Sequence, residues 1–204
     1  MIVIVDYGVG NLLSVHNMLR KAGGEAVISG DREQILAADK LLLPGVGHFD
    51  HGMKMLDAAG LREPLDRFAL ELRRPILGIC LGAQILGKGS EEGELPGLGW
   101  IDMYCRRLPA SPGLRVPHMG WNQITLRKSS PLLANMSADA RFYFVHSYCM
   151  HCEDAADVLA TAVHGVEFTC AVQRGNISGT QFHPEKSLRH GLALMRAFVE
   201  QSPA

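Results

Sequence analysis

Gly78-Ile79-Cys80-Leu81-Gly82 places a cysteine between two glycines just after the apolar run "PIL". The form is G-x-nucleophile-x-G, in which flanking glycines permit a cramped strand-to-helix turn that side chains would obstruct. Such a turn is expected to lift the sulfur into the open, where the amides at a helix start favour the thiolate over the thiol. A nucleophile needs a base, and the base needs a group to orient it. "QFHPEKS" supplies both. Pro184 biases His183 toward an extended backbone, and extended residues two apart point to the same side, which brings His183 and Glu185 together. The imidazole would then move the proton while the carboxylate holds its tautomer. The third requirement is a place for negative charge on an attacked carbonyl oxygen. "LLLPGVGHFD" offers Gly45 and Gly47, whose backbone amides are free to turn toward a substrate. Taken singly, each segment also fits a plainer role: an inert buried cysteine, a turn into the last helix, an ordinary βα turn.

Positioning these groups requires strand ends that converge. The first half of the chain alternates apolar runs with helical spacing: "MIVIVDY", then Leu12, Val15, Leu19 and Ala22 on one helix face. "EAVIS" precedes a helix opened by Asp31, with Gln34 placed for a capping box. "DKLLLPG" precedes "HGMKMLDAAG" and "LREPLDRFALELRR", and "PILGIC" precedes a short helix from Leu81. Near-continuous apolar strands with helical crossovers predict a mostly parallel, doubly wound α/β sheet, with ligands gathering at the carboxyl ends of its strands. From about Gly99 the pattern becomes strand and turn: "GWIDMYCRRL", "NQITLRK", "RFYFVHSYC", "DVLATAVHG", "EFTCAVQRG" and "ISGTQFHP". These predict an antiparallel β extension, closed by a helix in which Leu188, Leu192, Met195 and Val199 share a face. "LPASPG" at 108–113 reads as a surface loop, and with no linker or repeat a single domain over 1–204 is expected.

The bulk numbers exclude several classes. Lys and Arg total 20 against 21 for Asp and Glu, so nothing recruits nucleic acid or an anionic membrane. No apolar run approaches the roughly 20 residues of a bilayer span. Five cysteines, an odd number, and a start without a secretory signal predict a cytoplasmic protein with reduced thiols.

Together "PGVG", "GICLGAQ" and "QFHPEKS", in that order and spacing, resemble the class I glutamine amidotransferases. "DYGVGNLLSV", "SEEGELPGLGW", "VPHMGWNQI" and "FYFVHSY" extend the resemblance, over essentially the whole chain, to the family of glutaminase subunits of imidazole glycerol phosphate synthases. The resemblance implies that Cys80 attacks the side-chain amide of glutamine, with His183 and Glu185 completing a triad and no cofactor. It implies an oxyanion site at Val46, Gly47 and the N–H of Leu81. It places glutamine against Gly45, Gln84 and the main chain of Ser147 and Tyr148. Because the pattern consumes the whole chain, the ammonia is expected to serve a separate (β/α)8 cyclase subunit in a heterodimer for histidine biosynthesis. Asn11, Trp121, Tyr143 and Lys186 match positions facing that partner, although Trp121 and Tyr143 also fit a core and Lys186 a solvated turn. The resemblance further implies slow glutamine hydrolysis until the partner is engaged.

Some features point elsewhere. Cys149-x-x-Cys152 with His146 and His151 suggests zinc, but no second pair at ligand spacing follows, and strand alternation sends the two thiols to opposite faces, so no metal is expected. "YGVGNLL" with Asp31 approaches a dinucleotide-binding fingerprint, with Leu13 in place of the third glycine. Ala83 stands where the family often has Met, a change expected to alter packing near the pocket more than chemistry. Two other functions compete: a paralogue supplying ammonia for nitrogen-containing surface sugars, and a non-catalytic binding module. The second would show as loss of a triad member, and none is lost.

Overall fold

The structure, a computed structural model, describes residues 1–110, 113–134, 136–137 and 139–201. Ser111 and Pro112 of the expected 108–113 loop lie outside the described residues. The first half alternates as its apolar spacing requires: β1 (Ile2–Val5), α1 (Leu12–Lys21), β2 (Ala26–Ser29), α2 (Arg32–Ala37) and β3 (Lys40–Gly45). It continues through α3 (Phe49–Ala58), α4 (Arg62–Asp66), β4 (Ile76–Cys80) and α5 (Leu81–Gln84). Every residue of β1, β3 and β4 is buried, as strands covered on both faces must be. Successive residues therefore feed two cores. Val3 and Val5 join Phe49, Leu56 and Phe68, while Ile2 and Ile4 join Leu19, Leu194 and Phe198. Asp31 caps α2 by accepting the Gln34 N–H at 2.9 Å, but the reciprocal half of a capping box is replaced: the Asp31 N–H donates to Ser29 Oγ at 2.9 Å.

The second half comprises β5 (Gly89–Ser90), β6 (Met103–Arg107), β7 (His118–Gln123), β8 (Thr125–Leu126), β9 (Arg141–His146) and β10 (Tyr148–Cys152). It ends with β11 (Val158–His164), β12 (Val166–Arg174), β13 (Ile177–Thr180) and α6 (Leu188–Glu200). Among the described residues the large sheet runs β2-β1-β3-β4-β13-β12-β10-β6-β5, with β11 joining β12 and β8 joining β11. The strands from β2 to β13 are parallel, and the pairs β13/β12, β12/β10 and β10/β6 are antiparallel. The predicted parallel sheet with an antiparallel extension is thus present.

Three details differ from expectation. "ISGTQFHP" is expected in the antiparallel extension, and β13 does pair antiparallel with β12, but its other edge lies parallel to β4, with Gly179 opposite Gly78 and Thr180 opposite Ile79. All four β13 residues are buried, which suits a central strand rather than an edge. The expected "NQITLRK" strand divides: Asn122 and Gln123 end β7, which among the described residues pairs with β9 in a separate two-stranded sheet, while Thr125 and Leu126 pair with β11. Finally, α6 buries Gly191, Leu194, Met195 and Phe198, whereas Leu188 is 70% exposed. The helix is turned by Gly191, where a Cβ would fall 1.8 Å from the Pro184 carbonyl oxygen, so that face must meet the turn carrying Glu185.

Candidate active site

The carboxyl ends of β3 and β4 and the chain leaving β13 converge on one cavity of about 310 Å³, in the size range of small-molecule sites. Cys80 stands at the β4–α5 junction with φ 55° and ψ −111°, a left-handed conformation costing about 1–3 kcal/mol for a residue with a side chain. Its surroundings impose that conformation. A Cβ on Gly82 would lie 1.7 Å from the Leu43 carbonyl oxygen, and one on Gly78 would lie 2.5 Å from that of Gly82. The elbow does not push the sulfur into solvent as expected: Cys80 is 8% exposed and lines the cavity. Ala83, also buried, points away from the cavity and meets β13, where a Cβ on Gly179 would come within 2.9 Å of it.

His183 has an extended backbone, φ −100° and ψ 98°, but a 3-10 turn over Pro184–Lys186 then folds Glu185 back beneath it. This turn, rather than strand alternation, brings the pair together. Nδ1 of His183 meets Glu185 Oε1 at 2.7 Å, with both side chains 2% exposed. The backbone is pinned as well. The His183 N–H donates to the Tyr143 carbonyl at 2.9 Å, Ser187 Oγ donates to the His183 carbonyl at 2.6 Å, and the Tyr143 N–H donates to Ser187 Oγ at 2.9 Å. Nε2 has no hydrogen-bond partner among the described residues and is left for Cys80. Burial draws the imidazole pKa down, but Cys80 and Glu185 outweigh it and the net effect raises it from 6.5 to about 9. The ring therefore carries a proton at neutral pH.

The other walls come from three segments. Val46 and Gly47 form one side at the end of β3, and Leu81 begins α5 beside the sulfur. Val46 is exposed, and Gly47 has φ 98°, which glycine alone adopts readily. His146, Ser147 and Tyr148 form the opposite side, between β9 and β10. Gln84 is buried, its Nε2 donating to Gln181 Oε1 at 3.0 Å and to the Tyr148 carbonyl at 3.2 Å. Gly45 stands beside Cys80 in the β3/β4 register but is buried away from the cavity; a Cβ there would meet the Tyr7 hydroxyl at 2.5 Å. That hydroxyl is itself buried and unpartnered among the described residues, and burial and Cys80 push its pKa up.

Several site residues escaped the sequence reading. Gln181 directs Nε2 at Cys80 Sγ from 3.8 Å, and as the residue two before His183 it was open to the same alternation argument. Ser187 carries no signal beyond its place at the end of "QFHPEKS". Glu92 lines the cavity and accepts the Phe49 N–H at 2.9 Å, satisfying an amide at the start of α3.

Of the residues expected to face a partner, three cluster. Trp121 is 46% exposed and meets Tyr143 edge-on at 5.9 Å, and Lys186 Nζ lies 5.9 Å above the Tyr143 ring. Trp121 is therefore no core aromatic. Asn11 is exposed and caps α1, accepting the Ser14 N–H at 3.3 Å. The rival dinucleotide reading loses its acid, because Asp31 is spent as the α2 cap. Cys149 packs in one core and Cys152 against the other, on opposite faces of β10 as alternation requires. Among the described residues no helix is long and apolar enough to cross a membrane.

The family described as glutamine amidotransferase class-I matches residues 3–201. "Imidazole glycerol phosphate synthase subunit HisH 2" of Pseudomonas aeruginosa is 50% identical over 200 residues, which span 98% of this chain and 99% of that one. The protein of the same name from Methanococcus maripaludis is 46% identical over 202 residues, spanning 99% and 100%. A crystal structure of a glutamine amidotransferase superposes with a TM-score of 0.76 at 20% identity, covering 98% of this chain and 97% of that one, a likeness of fold alone. The chain belongs to the class-I glutamine amidotransferase family.

Proposed function

We propose that this chain is the glutaminase subunit of an imidazole glycerol phosphate synthase, a cytoplasmic enzyme of histidine biosynthesis acting through one domain over 1–204. The observation that carries the proposal is that Cys80 and His183 line one cavity while Glu185 holds the far nitrogen of that imidazole, in a chain that matches relatives of that name almost end to end.

Glutamine enters with its side-chain amide over Cys80. The sulfur attacks the amide carbon, and the carbonyl oxygen takes up the negative charge, met by backbone N–H groups of Val46, Gly47 and Leu81. His183 gives its Nε2 proton to the amide nitrogen, the C–N bond breaks and ammonia leaves. A water molecule then attacks the glutamyl thioester as His183 takes its proton. The C–S bond breaks, releasing glutamate and restoring the thiolate beside the charged ring. The sum is glutamine plus water giving glutamate plus ammonia. Gln84 and the main chain of Ser147 and Tyr148 hold the rest of the substrate, while Gly45, packed against Tyr7 at the end of β3, precedes the two oxyanion residues in the chain.

Ammonia protonated by bulk water is no longer a nucleophile, so the mouth of the cavity must be covered while it leaves. Met119 and Trp121 are exposed apolar side chains on β7, which pairs with the strand that carries Tyr143, and Leu188, also exposed, follows Lys186 by two residues. They supply a surface for the (β/α)8 cyclase subunit.

Glutamate release is the readout. Alone, the subunit is expected to turn over slowly; adding the cyclase subunit and its nucleotide ligand should raise the rate. Fast basal turnover that ignores the partner would refute the coupling, and no glutamate under either condition would refute the function.

A further inference from the structure

From His146, which lines the cavity beside Ser147 and Tyr148, a group of histidines that the chemistry above does not use runs back into the protein, with His118 and His146 both buried. Nδ1 of His146 lies 2.8 Å from the Tyr148 carbonyl oxygen, and Nε2 of the same ring lies 3.0 Å from His118 Nδ1. His118 Nε2 is 3.3 Å from Asn122 Nδ2, which also lies 2.8 Å from the Val163 carbonyl oxygen. Both ends of the chain are carbonyls, which only accept, and this settles every proton between them. His146 must carry its hydrogen on Nδ1 to serve Tyr148. Its Nε2 then accepts from His118 Nδ1–H. The remaining nitrogen of His118 accepts from Asn122, whose second hydrogen goes to Val163. Both rings are neutral at ordinary pH: burial first, with neighbouring histidines assisting, lowers His118 to about 4 and His146 to about 3.

The rings are also clamped. His118 is stacked between Phe144, at 4.8 Å, and His164, at 4.2 Å, and the His164 Nε2–H donates to the Arg115 carbonyl at 2.8 Å. At the cavity end, the Tyr148 carbonyl accepts twice, from His146 and from Gln84, so both its lone pairs are occupied. The preceding carbonyl, of Ser147, accepts the Leu108 N–H at 2.8 Å. Two oxygens that would repel the carboxylate of an amino-acid ligand are thereby held in protein bonds.

We propose that His118 and His146 are positioning residues, a relay of two fixed tautomers that runs from Asn122 on β7 to the Tyr148 carbonyl and orients the wall against which glutamine binds. This rests on the reading of Ser147 and Tyr148 as glutamine-holding backbone. Its strands matter: β7 also carries Trp121, so the relay joins the surface offered to the partner to the substrate wall.

Two measurements test the proposal. In wild-type protein labelled with nitrogen-15 histidine, magnetic resonance at neutral pH should show both rings as neutral Nδ1–H tautomers. An Nε2–H tautomer or a charged ring at either position would overturn the relay. In glutaminase assays with the cyclase subunit present, His118→Leu should raise KM for glutamine about tenfold, the worth of one lost hydrogen bond, with kcat nearly unchanged. His118→Asn, whose side-chain amide falls near the place of ring Nδ1, should recover most of that loss. An unchanged KM in His118→Leu, or a fall in kcat alone, would overturn the positioning role. Wild-type protein with no Cys80-dependent glutamate release would instead sink the functional reading, and the tautomers would stand or fall on the resonance data alone.

Discussion

Cys80→Ala should lower glutamate release by about 10⁴-fold or more, as loss of the nucleophile does when a triad acts as a unit. The fold should survive it. Alanine at φ 55° bears the same backbone strain as cysteine, and the replacement removes only a sulfur that faces the cavity. No other thiol can take over. Cys105 and Cys170 are fully buried, which pushes their pKa values up, and burial raises Cys149 and Cys152 to about 12. At neutral pH these four hold their protons and are poor nucleophiles. Equal rates in wild type and Cys80→Ala, measured with the cyclase subunit present, would eliminate Cys80 as the attacking group.

Glu185→Gln should cost about 10³–10⁴-fold in kcat, the scale seen when the orienting carboxylate of a triad becomes an amide. The carboxylate only accepts and so requires Nδ1–H on His183, leaving Nε2 for the sulfur and the departing nitrogen. An amide can turn its NH₂ toward Nδ1 and reverse the tautomer. The pH dependence should move too. In wild type the ring is protonated below about 9, so formation of the thioester should weaken as pH rises through that value and the leaving ammonia loses its proton donor. Without the carboxylate, burial is opposed by Cys80 alone, and this alkaline limb should shift to lower pH. Stability follows the same sign. Because the folded pKa lies above the ordinary 6.5, the ring's contribution is complete below 6.5 and is lost as pH rises through about 9. Rate profiles and melting curves of both proteins across that interval check the two statements; superimposable profiles would contradict them.

Much of the fold could be read from the chain because its central strands are extreme. "IVIV", "KLLLPG" and "ILGIC" admit little besides strands buried on both faces, and Gly78 and Gly82 announce a crowded turn. Cys80, His183 and Glu185 were legible because each is a reactive type in a constrained setting. What failed was partner choice. β13 reads like the other strands of the antiparallel half, and its second partnership, parallel to β4, appears only in the assembled sheet, where all four of its residues are buried. β7 and β9 each have one exposed face, so nothing local shows that they pair with each other apart from the large sheet. The phase of α6 follows from a backbone contact at Gly191, which apolar spacing does not register. Likewise His118 and His146 lie 28 residues apart, and their pairing exists only once β7 and β9 are aligned.

The central claim is that the amide of glutamine is cleaved through a covalent bond to one sulfur. Rapid acid quench of the wild-type subunit with glutamine and the cyclase subunit, followed by peptide mass spectrometry, tests it directly. A glutamyl adduct confined to the peptide that carries Cys80, formed before glutamate accumulates, is the predicted result. Glutamate released with no adduct at any time, or with the adduct on another of the five cysteines, would contradict it.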